Sequence, residues 1–166
     1  MLVKREGCFE TNSSSTHAIC IPAKQVCTPQ HIDFGIDNFG WSDEEALPED
    51  YLYTAILCVY GHDEDELQER LQRLKDALNN HGISYTFSKP KWSTGGRQRY
   101  LLNGSIDHSE DVVDLVVDLL RDEDLLLRYL SGAEIQTGND NSYDEPAYDL
   151  YDKRLKEGWN CYWKGN

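Results

Sequence analysis

The sequence predicts an α+β fold: a single domain over residues 1–166 in which a mainly antiparallel or mixed sheet packs with several amphipathic helices. Three observations predict it. Apolar residues alternate at period two near the N-terminus, at Ile19 and Ile21 and again at Ile32, Phe34 and Ile36. Leucines recur at helical spacing further on, at Leu67, Leu71, Leu74 and Leu78. Strand and helix signals follow one another without the regular βαβα rhythm of a parallel sheet, and a hairpin pattern interrupts them.

Taken in order, "HAICIP" (17–22) reads as a first strand, with His17, Ile19 and Ile21 on one face, Ala18 and Cys20 on the other, and Pro22 as its stop. "HIDFGID" (31–37) reads as a second. The acidic stretch from Trp41 to Asp50 predicts a loop leading to a short helix over "EDYLYTAILCVYG", although Tyr51, Tyr53, Ile56 and Val59 also fit a strand. "DEDELQERLQRLKDALNNHG" is an amphipathic helix: acids crowd its first turn and Gly82 offers a stop. "ISYTFSKPKW", "STGG" and "RQRYLLNGSI" read as a β-hairpin with a glycine-containing turn, Pro90 marking a distorted outer part. "SEDVVDLVVDLLRDEDLLLRYLSG" has Ser109 as an N-cap candidate and a break near Asp122, predicting two short helices. "AEIQT" is a strand candidate, "GNDNSYDEP" an acidic loop, "AYDLYDKRLKEG" a helix and "WNCYW" a terminal strand.

A chain of 166 residues buries roughly 68–70% of its unfolded surface, enough for one core without disulfide or metal. The five cysteines, at 8, 20, 27, 58 and 161, form no CxxC pair and no zinc or haem spacing, which favours reduced thiols and a cytoplasmic setting. The N-terminus lacks an apolar h-region, and no apolar run is long enough to span a membrane, so neither secretion nor insertion is expected. No cofactor motif is present.

Net charge is -14 and the pI is near 4.6. Such a balance repels phosphate backbones unless the charge is sorted. Sorting is visible: from Gln25 to Glu69 every charged side chain other than histidine is Asp or Glu, whereas 77–106 holds Lys89, Lys91, Arg97 and Arg99 and no acid.

"FETNSSSTHA" (9–18) sets Asn12, Ser13, Ser14, Ser15 and Thr16 between Glu10 and His17. Short hydroxyl and amide side chains commonly only shape a turn. They can also line an anion-holding nest, with Glu10, Ser13, Ser14 and His17 as a catalytic set for phosphate chemistry. No GxSxG elbow, Walker lysine or HExxH is present. The ten residues resemble the N-terminal signature of small uncharacterised proteins from Gram-positive bacteria and their phages, where FETNSSS is followed by Thr or Ser and then His. That resemblance implies a mobile-element origin and a polar loop with a specific job. Small acidic proteins of such origin are similar in character to inhibitors of host defence, anti-CRISPR proteins among them.

Asp107, Glu110, Asp111, Asp114, Asp118, Asp122, Glu123 and Asp124 form the densest acidic run, and Asp43, Glu44, Glu45, Glu49 and Asp50 a second. Either is an ordinary solvated face or a decoy for a Lys/Arg-lined channel, with Asp107, Asp111, Asp114, Asp118, Asp122 and Asp124 as partner-binding candidates. Lys89, Lys91, Trp92, Arg97 and Arg99, with Tyr100 beside them, could contact RNA or DNA, or simply protect a sheet edge. Asp140, Asp144 and Glu145 offer hard oxygen ligands but lack a calcium-loop pattern, so no metal is expected. Two readings follow: an acidic phage-type inhibitor of a nucleic-acid-handling defence nuclease, such as a CRISPR effector, or an enzyme acting on RNA or a nucleotide phosphate through the ETNSSSTH loop.

Overall fold

The first strand of the described residues, β1 (Ser15–Ile21), stops where Pro22 withdraws a backbone donor. The structure is a computed structural model and describes residues 15–96, 98–139 and 146–164. Glu10, Ser13, Ser14, Arg97, Asp140, Asp144 and Glu145 lie outside the described residues. Strand β2 (His31–Phe34) keeps the expected alternation, Ile32 and Phe34 buried between exposed His31 and Asp33, but ends early at Gly35, whose N–H donates to Asp50 Oδ1 at 2.6 Å. Strand β3 (Asn38–Phe39) follows, and the acidic stretch from Trp41 to Asp50, expected as a loop, holds a short strand, β4 (Glu44–Ala46).

Helix α1 (Pro48–Tyr60) starts with proline in its first turn, where a missing N–H costs nothing, and with Glu49 and Asp50 against the positive end of its dipole. Tyr51 to Leu57 are buried without interruption. A helix enclosed on all sides shows no polar stripe, which is why its residues also fitted a strand pattern. In helix α2 (Glu64–Asn80) the Asp63 carboxylate caps the first turn, accepting from Asp65 N and Glu66 N at 3.0 and 3.1 Å. Leu67, Leu74 and Leu78 are buried along one stripe, and Gly82 (φ +68°) ends the run.

The hairpin expected at 83–106 is largely absent. Strand β5 (Ser84–Phe87) pairs in parallel with β2, from His31 opposite Ser84 to Phe34 opposite Phe87, and strand β6 (Ser105–Ile106) pairs in parallel with β3. Only the Trp92–Leu101 bridge remains, with Ser93 N donating to Tyr100 O at 2.9 Å and Leu102 N to Lys91 O at 2.7 Å. Pro90 removes a ladder donor just after β5, and long-range pairing stacks Phe34 on Phe87 at 4.8 Å beside Tyr53. Aromatic burial across the sheet thus outweighs the local turn.

Ser109 opens a 3-10 turn (Ser109–Val112) entered by His108 in the left-handed region (φ 54°), and Ser109 gives no side-chain cap to the helix that follows. Helix α3 (Val113–Arg121) breaks at Asp122, whose carboxylate accepts from Leu125 N at 3.1 Å and starts helix α4 (Glu123–Gly132). Strand β7 (Glu134–Asn139), helix α5 (Pro146–Lys156) and strand β8 (Asn160–Lys164) complete the chain.

The main sheet has the order β4-β7-β1-β8, every neighbouring pair antiparallel. Ile19, Ile21, Ile135 and Ala46 join one core with residues of α1 to α4. The other face of β1 carries Ala18 and Cys20 and is covered by α5, where Trp163 meets Tyr148 and Tyr151 edge-on at 6.0 and 5.5 Å and Arg154 pairs with Glu134. Both faces of β1 are therefore buried. The architecture is helix, sheet, helices, an α+β arrangement, and among the described residues no helix is long and apolar enough to cross a membrane.

Candidate functional site

The N-terminal end of β1 gathers buried polar side chains. Among the described residues, three of the four buried polar residues, Ser15, His17 and Thr137, lie there. His17 stands opposite Thr137 on β7 and opposite Lys164 on β8. Thr137 donates its hydroxyl to Ser42 O at 3.1 Å. Gly40 turns the chain at φ +96°, and a Cβ on it would sit 2.8 Å from His17 Nε2 and 3.0 Å from the Asp107 side chain. Glycine is required there because both the dihedral and the close approach exclude a side chain.

His17 is 2% exposed. Its Nδ1 lies 2.9 Å from the Tyr51 hydroxyl and its Nε2 3.1 Å from Ser15 Oγ. Tyr51 is fully buried, and among the described residues its hydroxyl has no acceptor besides Nδ1, so Tyr51 donates to Nδ1 and Nε2–H donates to Ser15 Oγ. Ser15 is then an acceptor, the reverse of an activated nucleophile. Burial lowers the His17 pKa to about 4, Asp107 and Asp111 opposing the shift and His108 and Lys164 adding to it. The imidazole is neutral at physiological pH. Burial also raises the Tyr51 hydroxyl.

Around this plug runs a rim of carboxylates. Pairing of β3 with β6 sets Asp37 beside Ser105, and Asp107 N donates to Phe39 O at 3.0 Å. The 3-10 turn and the start of α3 add Glu110, Asp111 and Asp114, all exposed. Glu44 is held above the usual carboxylate range by burial and then by Asp37. Among the described residues, no Lys or Arg forms an ion pair with Asp37, Glu44, Asp107, Glu110, Asp111 or Asp114; only His108 approaches, 4.0 Å from Asp107 and 3.8 Å from Glu110. Other acidic candidates have local tasks. Asp118 accepts from the Tyr162 hydroxyl at 2.9 Å, Asp122 caps α4, Asp124 pairs with Arg128 at 3.0 Å, and Asp50 holds Gly35.

In the basic segment Lys89 and Lys91 are exposed. Arg99 lies 4.0 Å over the Trp92 ring and pairs with Glu64, and the far edge of that ring packs on Gly61, where a Cβ would come within 2.4 Å of it. Trp92 is thus an internal platform for Arg99, and Tyr100, 61% exposed, is the aromatic left at the surface. Among the described residues no group of three or more His, Cys, Asp or Glu is arranged to hold a metal ion.

Tyr51, Gly40, His108 and Asp37 escaped the reading of the sequence. Each reaches His17 or its rim only through non-local pairing, and none carries a local signal of that role. The chain matches no protein-family model, no curated protein and no solved structure. The argument for function therefore rests on the geometry.

Proposed function

We propose that this protein is an acidic binding protein that occupies a basic, nucleic-acid-handling surface of a host defence nuclease, in the manner of anti-CRISPR inhibitors. The observation that carries the reading is the rim of Asp37, Asp107, Glu110, Asp111 and Asp114, which has no Lys or Arg partner among the described residues. Unneutralised carboxylates on a folded surface attract a Lys/Arg-lined channel with the steep salt dependence of a phosphate backbone. Arg99 is engaged by Glu64 rather than by this rim, which supports the reading further.

The enzymatic alternative, hydrolysis of RNA or a nucleotide phosphate through the ETNSSSTH loop, has less support. Near neutral pH the ring is neutral and so no general acid, its one lone pair accepts from Tyr51, and its N–H is held by Ser15.

The test uses a panel of RNA-guided and restriction nucleases from Gram-positive hosts, with cleavage of labelled DNA as readout. Stoichiometric inhibition is expected, relieved by excess DNA and weakened as salt rises. Glu110→Lys, Asp111→Lys and Asp114→Lys together should abolish it without changing the circular dichroism spectrum. Inhibition that persists in this variant, or that needs only catalytic amounts of protein and leaves cut RNA, would sink the reading.

A further inference from the structure

Cys20 and Cys161 face each other directly across the β1–β8 ladder. Directly opposed antiparallel residues have Cα atoms about 4.5 or 5.5 Å apart, according to the type of pair, and both spacings fall inside the range a disulfide tolerates. The two thiols are near enough for each to perturb the other's ionisation. They are free in this structure, Cys20 with no exposed surface and Cys161 half-buried under α5 at the edge strand. We propose that Cys20 and Cys161 form a reversible intramolecular disulfide that fastens the C-terminal edge strand to the centre of the sheet.

The position makes the bond consequential. Among the described residues β8 has one strand neighbour, β1, and stands at the edge of the sheet. Its hold on the molecule is that ladder, the Trp163 contacts with α5 and the Tyr162–Asp118 hydrogen bond. The bond would close a loop containing most of the chain, the case in which the unfolded state loses most entropy. Among the described residues neither Cys27 nor Cys58 has such a partner: Cys27 Sγ lies 3.9 Å from Ser131 O on the surface, and Cys58 interacts with the backbone of Ile106.

Oxidised glutathione is the oxidant class. The Cys161 thiolate attacks one sulfur of the glutathione disulfide, and the departing glutathione thiolate takes up the proton that Cys161 released. Cys20 then loses its proton and attacks Cys161 Sγ, expelling the second glutathione as a thiol. Two protein thiols are oxidised by two electrons, and one glutathione disulfide is reduced to two glutathione thiols. Burial raises both cysteine pKa values, so the exchange is slow near neutral pH and accelerates with alkalinity, unlike that of a fast redox sensor.

The full-length chain, incubated with oxidised glutathione at rising pH, is alkylated, digested without reductant and analysed by mass spectrometry. The expected product is a peptide pair joined through Cys20 and Cys161, two hydrogens lighter than the reduced pair. The melting temperature should rise by roughly 5–10 °C and return on reduction. Cys161→Ser, at the half-exposed member, should abolish both effects, whereas Cys27→Ser should leave them intact. The proposal is overturned if Cys161 stops as its glutathione adduct, if either cysteine joins a different one, or if the Cys20–Cys161 link appears only in denaturant.

Discussion

At the residue scale the buried imidazole of His17 has a measurable signature. Its ordinary pKa is 6.5, and in the folded protein it falls to about 4, so the folded state refuses a proton that the unfolded state accepts. This contribution is fully present above about pH 6.5 and is lost as pH falls towards 4. Between pH 7 and 4.5 it amounts to about 2 kcal/mol. Urea denaturation at the two pH values should show the parent losing about that much more stability than His17→Gln, whereas equal losses would mean that the ring is solvated. Asp107, His108, Asp111 and Lys164 surround the ring and set the remaining shift. Gly40→Ala should cost at least about 2 kcal/mol, because it combines a left-handed backbone with a contact under 3 Å against the imidazole. The sequence marked His17 as unusual, but not its partners: Tyr51 is 34 positions away, and no local pattern couples a helix tyrosine to a strand histidine.

Helices and strands were legible to different degrees. α2 followed directly from its leucine spacing, and its cap gives a clean test. Asp63→Ala should cost about 1 kcal/mol, and Leu74→Ala, at a fully buried position, about 3 kcal/mol, both read from denaturant midpoints. The break at Asp122 was equally readable because an aspartate between two apolar helical repeats is a capping signal. β5 was read correctly as a strand with the wrong partner. Its alternation is local, but its pairing depends on whether a tight turn or distant aromatics hold more free energy. Phe34, Tyr53 and Phe87 come together only after the chain has passed through α1 and α2 and returned to pair β5 with β2. Ser109 failed as a helix cap because a 3-10 turn begins there, entered by His108 in a left-handed conformation.

For the whole molecule, a net charge of -14 makes the folded state repel itself. Raising the salt concentration from about 10 to 200 mM should therefore raise the melting temperature, and reversing Glu110, Asp111 and Asp114 to lysine should shrink that gain. A melting temperature that falls with salt would show instead that ion pairs such as Glu66–Arg70 and Glu69–Arg73 dominate over the repulsion. Composition and periodicity by themselves determined the α+β class, most helix positions, the terminal strand and the excess of acid, since these depend on residue type and on spacings within one element. Only the tertiary structure decided the strand order β4-β7-β1-β8, the parallel β2–β5 pair, the burial of both faces of β1 and the approach of Asp107 and Asp111 to His17. The reason is physical: strand pairing and charge proximity are set by which distant apolar surfaces bury one another, a free energy that no single stretch of sequence contains.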